Sequence, residues 1–483
     1  MESLSDTKWD VVISGTGLQH SLLALALSRS DKKILHVDHN EYYGGAEAAF
    51  SLQEVDEWHP DSSTGTFQNV TLWKDDADTS SQSNKLSFSR AYTLTLSPQI
   101  IYTKSKLLGQ LVSSKVYRQL EFQAVGNWWI YNGEGPPLLK RLPNGREDIF
   151  RDQGIDNRAK RSLMKFLKFV VDFENQPELW EADSECSLQD FLSSRFQLPP
   201  HLQSIITALT LSLDTPGRTI VKWALPRISR HLTSIGVFGP GFGAVIPKWG
   251  GGAEIAQVAC RAGAVGGGVY VLGTGVTNAV DDRDKERWRI ELSNGETVGT
   301  KHYIPHSGSA NGSNSRMVSK TIAVVSSTLS SLFVNSTEGS PLAAVSVVVF
   351  PSGTLHLEEA TQDCPVYVMV HSSETGECPA GQCVLYATTL YSATSKPILD
   401  AALSSLIKST ECSDARLLYT LYYDQQEDIS SPCDLAFDDR ILENVEEQWK
   451  EAMGSEGADG SSLFMQFEER RGINPDDDND DDY

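Results

Sequence analysis

The chain has 483 residues, 40% of them hydrophobic, which suffices for two or three domains with a substantial core and excludes a largely disordered polypeptide. Its 64 acidic residues outnumber 41 basic ones, and the net charge of −23 argues against binding a phosphate backbone, so no nucleic-acid partner is expected. Seven cysteines at scattered positions, with no metal-type spacing beyond Cys378-x4-Cys383, read as reduced thiols and leave open whether those two pair; no metal site is expected.

The run Val11-Val12-Ile13-Ser14-Gly15-Thr16-Gly17-Leu18-Gln19-His20 leads into a Ser/Leu/Ala helix and then Ile34-Leu35-His36-Val37-Asp38. Strand, tight turn, helix and strand, closed by an acid about twenty residues after the glycines, is the pattern of a dinucleotide-binding βαβ unit. The third glycine, which lets helix and strand pack closely around the pyrophosphate, is replaced by His20. Gly15, Gly17 and Asp38 therefore read as remnants of a cofactor site, and no cofactor is expected.

Tyr42-Tyr43-Gly44-Gly45 follows as a surface loop, and the polar stretch from Asp75 to Lys85 as a solvated one. Ser97-Pro98 is the expected cap and first turn of a helix with Ile100, Ile101, Lys104, Leu107, Leu108 and Leu111 at helical spacing. Two short strands are expected at Glu121 to Val125 and Trp128 to Tyr131.

From about Asp156 the pattern turns helical: Arg158 to Phe173, Ser187 to Phe196 with Ser187 as cap, and Pro200 to Leu213. In the first, Leu163, Met164, Phe166, Leu167, Phe169, Val170, Val171 and Phe173 leave little polar face, as in a buried helix or one lining an apolar cavity. The last places Leu202, Ile205, Ile206, Leu209 and Leu213 on one face. Residues 141–230 thus read as a small helical domain inserted between two parts of an α/β domain, 1–140 and 231–470.

Ser234 to Gly275 returns to glycine-rich strand and turn material, Ser307 to Ser315 is a polar loop, and Thr321 to Tyr391 is β-rich. Residues 471–483, with six aspartates in the seven residues after Pro475, read as a disordered acidic tail. The start, Met1-Glu2-Ser3-Leu4-Ser5-Asp6, has no leader character, and the end, Asp480-Asp481-Asp482-Tyr483, is no prenylation box. A cytoplasmic location without a membrane anchor is expected.

Three separated segments carry a resemblance. Gly-Thr-Gly-Leu at 15–18, Leu35-His36-Val37-Asp38 with Tyr42-Tyr43-Gly44-Gly45, and Glu254-x6-Arg261 leading into Gly-Gly-Val-Tyr-Val-Leu at 267–272 resemble the family of Rab escort proteins and Rab GDP-dissociation inhibitors. The resemblance runs from Trp9 to about Tyr423. It implies an FAD/NAD(P)-binding-like α/β fold that carries no flavin, with the helical domain inserted.

The resemblance also implies a platform for GDP-bound Rab GTPases at Tyr43, Glu254, Arg261 and Val271, the last where the inhibitors typically carry methionine. The escort branch docks on the Rab geranylgeranyltransferase α/β heterodimer through a phenylalanine and, eleven residues on, an arginine; Phe150 and Arg161 stand at that spacing. The expected role is then non-catalytic: presenting Rab for lipid attachment, holding the geranylgeranyl chains of the product, and delivering it in transient contact with a membrane. Burying one such chain is worth about 10–15 kcal/mol at roughly 0.8 kcal/mol per methylene, which calls for an apolar groove. Phe166, Leu167, Val170, Leu209 and Leu213 are the candidates for its walls, although core packing explains their spacing equally well.

Within the family the alternative is a GDP-dissociation inhibitor that extracts prenylated Rabs without touching the transferase. Outside it stand a flavin-dependent oxidoreductase, which would be yellow, and a scaffold that binds Rab but not lipid. No nucleophile and base pair stands out in the sequence.

Overall fold

The computed structural model describes residues 4–58, 66–75, 85–133, 135, 138–143, 154–282, 287–306, 315–335, 342–358, 360–410, 412, 414–428, 435–458 and 463–468. The loops expected between Asp75 and Lys85 and between Ser307 and Ser315, and the acidic tail, lie outside these residues.

The βαβ unit forms as its sequence requires: β1 (Trp9–Ser14), α1 (Leu18–Leu27) and β2 (Ile34–Val37), with Val12 opposite Leu35 in parallel register. Every residue of α1 except Gln19 is buried, so the helix is enclosed rather than amphipathic. It packs between α7 (Gly252–Val265) and α9 (Arg440–Met453). Strand β6 (Val269–Val271) extends the sheet beyond β2, and an antiparallel meander completes it as β7 (Val276–Asp282), β8 (Arg287–Leu292) and β9 (Thr297–Ile304). The order is β6-β2-β1-β9-β8-β7. Alternation sends Val11 and Ile13 to the helix-covered face and Val12, Leu35 and Val37 to the other.

A second, ten-stranded sheet runs β3 (Phe67–Lys74), β14 (Leu417–Asp428), β10 (Ser315–Val325), β13 (Cys383–Leu390), β12 (Val366–Ser372), β11 (Val345–Phe350), β4 (Phe122–Tyr131), β5 (Ala244–Pro247) and a short strand at Ile101–Tyr102, with Leu139–Arg141 paired to β4. One face is covered by α8 (Ser395–Ser409), while the other meets the loops that follow β2. The two expected strands around Glu121 and Trp128 are one, β4, whose register slips at Gly126. The β-rich stretch from Thr321 to Tyr391 resolves into β10 to β13.

The helix expected from Ser97 through Leu111 is corrected. Ile101 and Tyr102 pair with Val245 and Ala244, and Ile100 exchanges backbone hydrogen bonds with Leu435 and Phe437. Only α2 (Lys106–Ser113) remains, capped by Ser105, because these long-range pairings outweigh the local periodicity.

The helical segment comprises α3 (Asn157–Val171), α4 (Leu188–Phe196), α5 (Pro200–Ala208) and α6 (Val221–Ser234) around their own core, in which Phe166, Phe169, Phe191 and Phe196 touch ring to ring. Asp156 caps α3 by accepting from the Arg158 and Ala159 amides, and Ser187 caps α4 as expected. The expectation that α3 lacks a polar face is corrected: Arg158, Arg161, Lys165 and Lys168 form an exposed cationic side. The expected Pro200–Leu213 helix stops at Ala208, where Thr210 Oγ1 donates back to Thr207 and accepts from the Ser212 amide. Such side-chain bonds compete with the helical ladder. Among the described residues no helix is long and apolar enough to cross a membrane.

Candidate functional site

The glycine loop after β1 is filled by the protein itself. Gly15 has φ +95°, and a Cβ there would lie 2.4 Å from His306 Nδ1. The Thr16 amide and hydroxyl both donate to Asp38 Oδ2 at 2.7 Å, and Asp38 Oδ1 accepts from the Asn40 amide at 2.8 Å and Asn40 Nδ2 at 3.1 Å. Asp38 is fully buried, its carboxylate committed to the loop.

At the N-terminus of α1 the Glu47 carboxylate accepts from the Leu18 amide at 3.4 Å and would stand 3.3 Å from a Cβ on Gly17. Burial raises its pKa, while the Leu18 amide pulls the other way. His20, in place of the third glycine, has Nε2 3.0 Å from the Pro305 carbonyl and stacks with His306 at 6.4 Å. Burial pushes the His20 and His36 imidazoles down to about 4 and lowers His306 as well.

These residues do not fit a dinucleotide. A pyrophosphate needs the free positive end of α1, where a carboxylate already lies, and a ribose needs the acid oxygens that Thr16 and Asn40 occupy. Among the described residues no group of three or more His, Cys, Asp or Glu side chains is placed to hold a metal ion. Cys378 and Cys383 are both buried free thiols.

A second site forms around α7. Arg261 Nη2 lies 3.7 Å from Glu254 Oε1, with the arginine side chain 60% exposed and the glutamate 17%. Burial raises the Glu254 carboxyl and Arg261 draws it back. Tyr43 is half-buried, its phenol raised by burial and by the neighbouring Cys260 thiol of α7, itself pushed up to about 11. Glu254 and Arg261 thus share α7, Tyr43 approaches the same helix from the loop after β2 beside Cys260, and each of the three has part of its side chain in water. Val271 is not on that side: its carbonyl accepts from the Asp38 amide at 3.0 Å, and its side chain packs with Trp9, Val12 and Val37 on the opposite face of the sheet.

In the helical segment, Arg161 is exposed on α3, and Phe150 lies outside the described residues. Phe166 and Val170 are fully buried in the helical core, with Leu167 packed against it. Leu209 and Leu213 belong to the core of the large sheet instead. The five groove candidates are thus divided between two apolar cores that meet at Ile205.

Glu47 and His306, which close the nucleotide loop, were not foreseen. They reach it from 29 and 291 positions away along the chain, and no local pattern marks them.

The sequence profile of the GDP dissociation inhibitor family matches residues 5–410. The chain belongs to that family. It is 33% identical over 412 residues to the Rab proteins geranylgeranyltransferase component A of Saccharomyces cerevisiae, covering 83% of this chain and 64% of that protein. The protein of the same name from Candida albicans is 29% identical, with 84% and 62% covered. The chain therefore spans somewhat less than two thirds of the length of these curated relatives. A crystal structure of the Rab GDI of Plasmodium falciparum superposes with a TM-score of 0.65 at 19% identity, over 92% of this chain and 97% of that one, a likeness of fold.

Proposed function

We propose that this protein is a Rab escort factor: it binds GDP-bound Rab GTPases, presents them to the geranylgeranyltransferase α/β heterodimer for prenylation of their C-terminal cysteines, and chaperones the product to a membrane. The observation that carries this reading is the Glu254 and Arg261 pair on α7, with Tyr43 beside Cys260 of the same helix, in a family member whose nucleotide loop is closed by its own side chains. A rigid phenol beside an opposed carboxylate and guanidinium offers apolar area together with charge-assisted hydrogen bonds, the chemistry of a protein interface rather than of a reaction centre.

The lipid-transfer step belongs to the heterodimer, and this chain acts by positioning. Its cationic α3 face, with Arg161 exposed, faces solvent where an acidic partner surface can dock. Lipid uptake requires α3 to part from α4 and α6, since Phe166 and Val170 are enclosed in the packed state. A cytoplasmic protein with transient membrane contact fits this role.

The test is a reconstituted reaction with GDP-loaded Rab, geranylgeranyl diphosphate and the catalytic heterodimer, with and without this chain. Transfer that depends on the chain and fails with the Phe150→Ala, Arg161→Ala double variant supports the escort reading. Extraction of prenylated Rab from liposomes without any support of transfer would make the protein a dissociation inhibitor instead.

A further inference from the structure

The last described residues run between the ends of α1 and α2. The Phe467 amide donates to the Ser113 carbonyl, at the end of α2, at 3.1 Å, and the Phe467 ring lies 4.8 Å under the guanidinium of Arg29, just past α1. Arg29 Nη1 donates to the Glu468 carbonyl at 2.6 Å, and Phe464 packs on Trp449 of α9 with ring centres 5.6 Å apart. The chain therefore leaves Glu468 from a held position.

Cations flank that position on both sides. Arg29, Lys32 and Lys33 follow α1, and Lys115 and Arg118 follow α2. Lys301 joins the first group, because its Nζ donates to Asp10 Oδ1 at 2.8 Å while the Lys33 amide donates to Asp10 Oδ2 at 3.0 Å. Arg29, Lys33, Arg118 and Lys301 are exposed. Asp10 is engaged by these bonds, and Asp31 and Glu451, the latter beside His302, are too few to balance the cations named.

Asp476, Asp477, Asp478, Asp480, Asp481 and Asp482, which lie outside the described residues, begin eight positions after Glu468. Eight residues reach about 28 Å when extended and about 16 Å as a flexible coil. An acid on so short a tether has an effective concentration in roughly the millimolar range, so even a weak attraction between surface charges holds it.

We propose that the acidic run 476–482 docks on the cations at the ends of α1 and α2 and masks that surface. The occupant is this chain's own segment, because its tether starts inside the cationic surface and its charge is opposite. The inference is independent of the GTPase platform. The attraction acts between solvated charges, so it fades as the Debye length falls from about 10 Å at 0.1 M salt to about 3 Å at 1 M.

The experiment is zero-length carbodiimide cross-linking of the full chain at low salt and at about 1 M salt, read by peptide mass spectrometry. Bonds within one chain from the six aspartates to Lys32, Lys33, Lys115 or Lys301, lost at high salt, are the expected result. A variant with Asp→Asn at the six positions keeps the length of the chain; in it Lys33 and Lys301 should be acetylated about threefold faster or more, with Lys408 of α8 unchanged as the internal control. Cross-links that run to Lys165 or Lys168 of α3, or only between chains, overturn the proposal, as do acetylation rates that the variant leaves unchanged. If these lysines are protected only when vesicles of anionic lipid are added, the surface belongs to a membrane and the acidic run does not cover it.

Discussion

Arg261 and Glu254 oppose each other on α7 at 3.7 Å, the arginine mostly in water and the glutamate mostly out of it. The distance is long for an ion pair made for stability, and a pair so exposed contributes about 0–1 kcal/mol to folding. Arg261→Ala and Glu254→Gln are therefore expected to leave the melting temperature within about 2 °C of wild type. Binding of GDP-loaded Rab should weaken at least tenfold. Calorimetric titration beside thermal melts checks both halves. A drop in stability with unchanged affinity would return the pair to the fold.

Arg161 stands on the exposed side of α3 with no ion pair among the described residues. Arg161→Ala should change stability by less than about 0.5 kcal/mol and leave the affinity for Rab untouched. The same variant should lower the rate of prenyl transfer, because its expected contact is with the catalytic heterodimer. Parallel measurement of Rab affinity and transfer rate separates the two surfaces.

Acid should destabilise the protein well above the carboxylate range. Burial holds His20, His36 and His231 near 4 in the folded state, against 6.5 when unfolded. Folding thus favours the neutral imidazole: the stability is fully present above pH 6.5 and is lost as pH falls toward 4. Each site accounts for at most about 3 kcal/mol over that window. Urea melts at pH 7.5, 5.5 and 4.5 should show a falling midpoint, and His231→Gln, which removes one such imidazole, should flatten the decline.

Gly266 follows α7 with an ordinary φ, so backbone conformation does not demand glycine there. The demand is steric: a Cβ would stand 1.8 Å from the Ser28 carbonyl oxygen at the end of α1. Gly266→Ala should cost about 2–3 kcal/mol by forcing α1 and α7 apart. Gly217→Ala, where nothing lies within 4 Å, is the control in the same chemical denaturation series.

What could be read from the sequence follows the range over which each feature is determined. The βαβ unit was legible because strand, glycine turn, helix and acid fall within one short run, and the cap at Ser187 acts over three residues. The stretch from Ser97 to Leu111 misled because its apolar spacing suits a helix, while its backbone partners at Val245 and Leu435 are remote. The end of α5 turned on Thr210 and Ser212, whose hydroxyls bind nearby backbone in a way that apolar periodicity does not register. At the candidate site, Glu254 and Arg261 could be paired from their helical spacing. The orientation of Val271 away from α7 depends on strand alternation in β6, a strand too short to carry a pattern of its own.

Glu47 at the head of α1 alters how this fold answers to its surroundings. A protein whose helix terminus is neutralised by a bound coenzyme gains stability with coenzyme concentration, about 2.7 kcal/mol at a hundredfold excess over the dissociation constant. Here the anion is a side chain of the same polypeptide, always present at one equivalent. The contribution of that carboxylate to holding the head of α1 is therefore set by the fold and not by the concentration of a ligand.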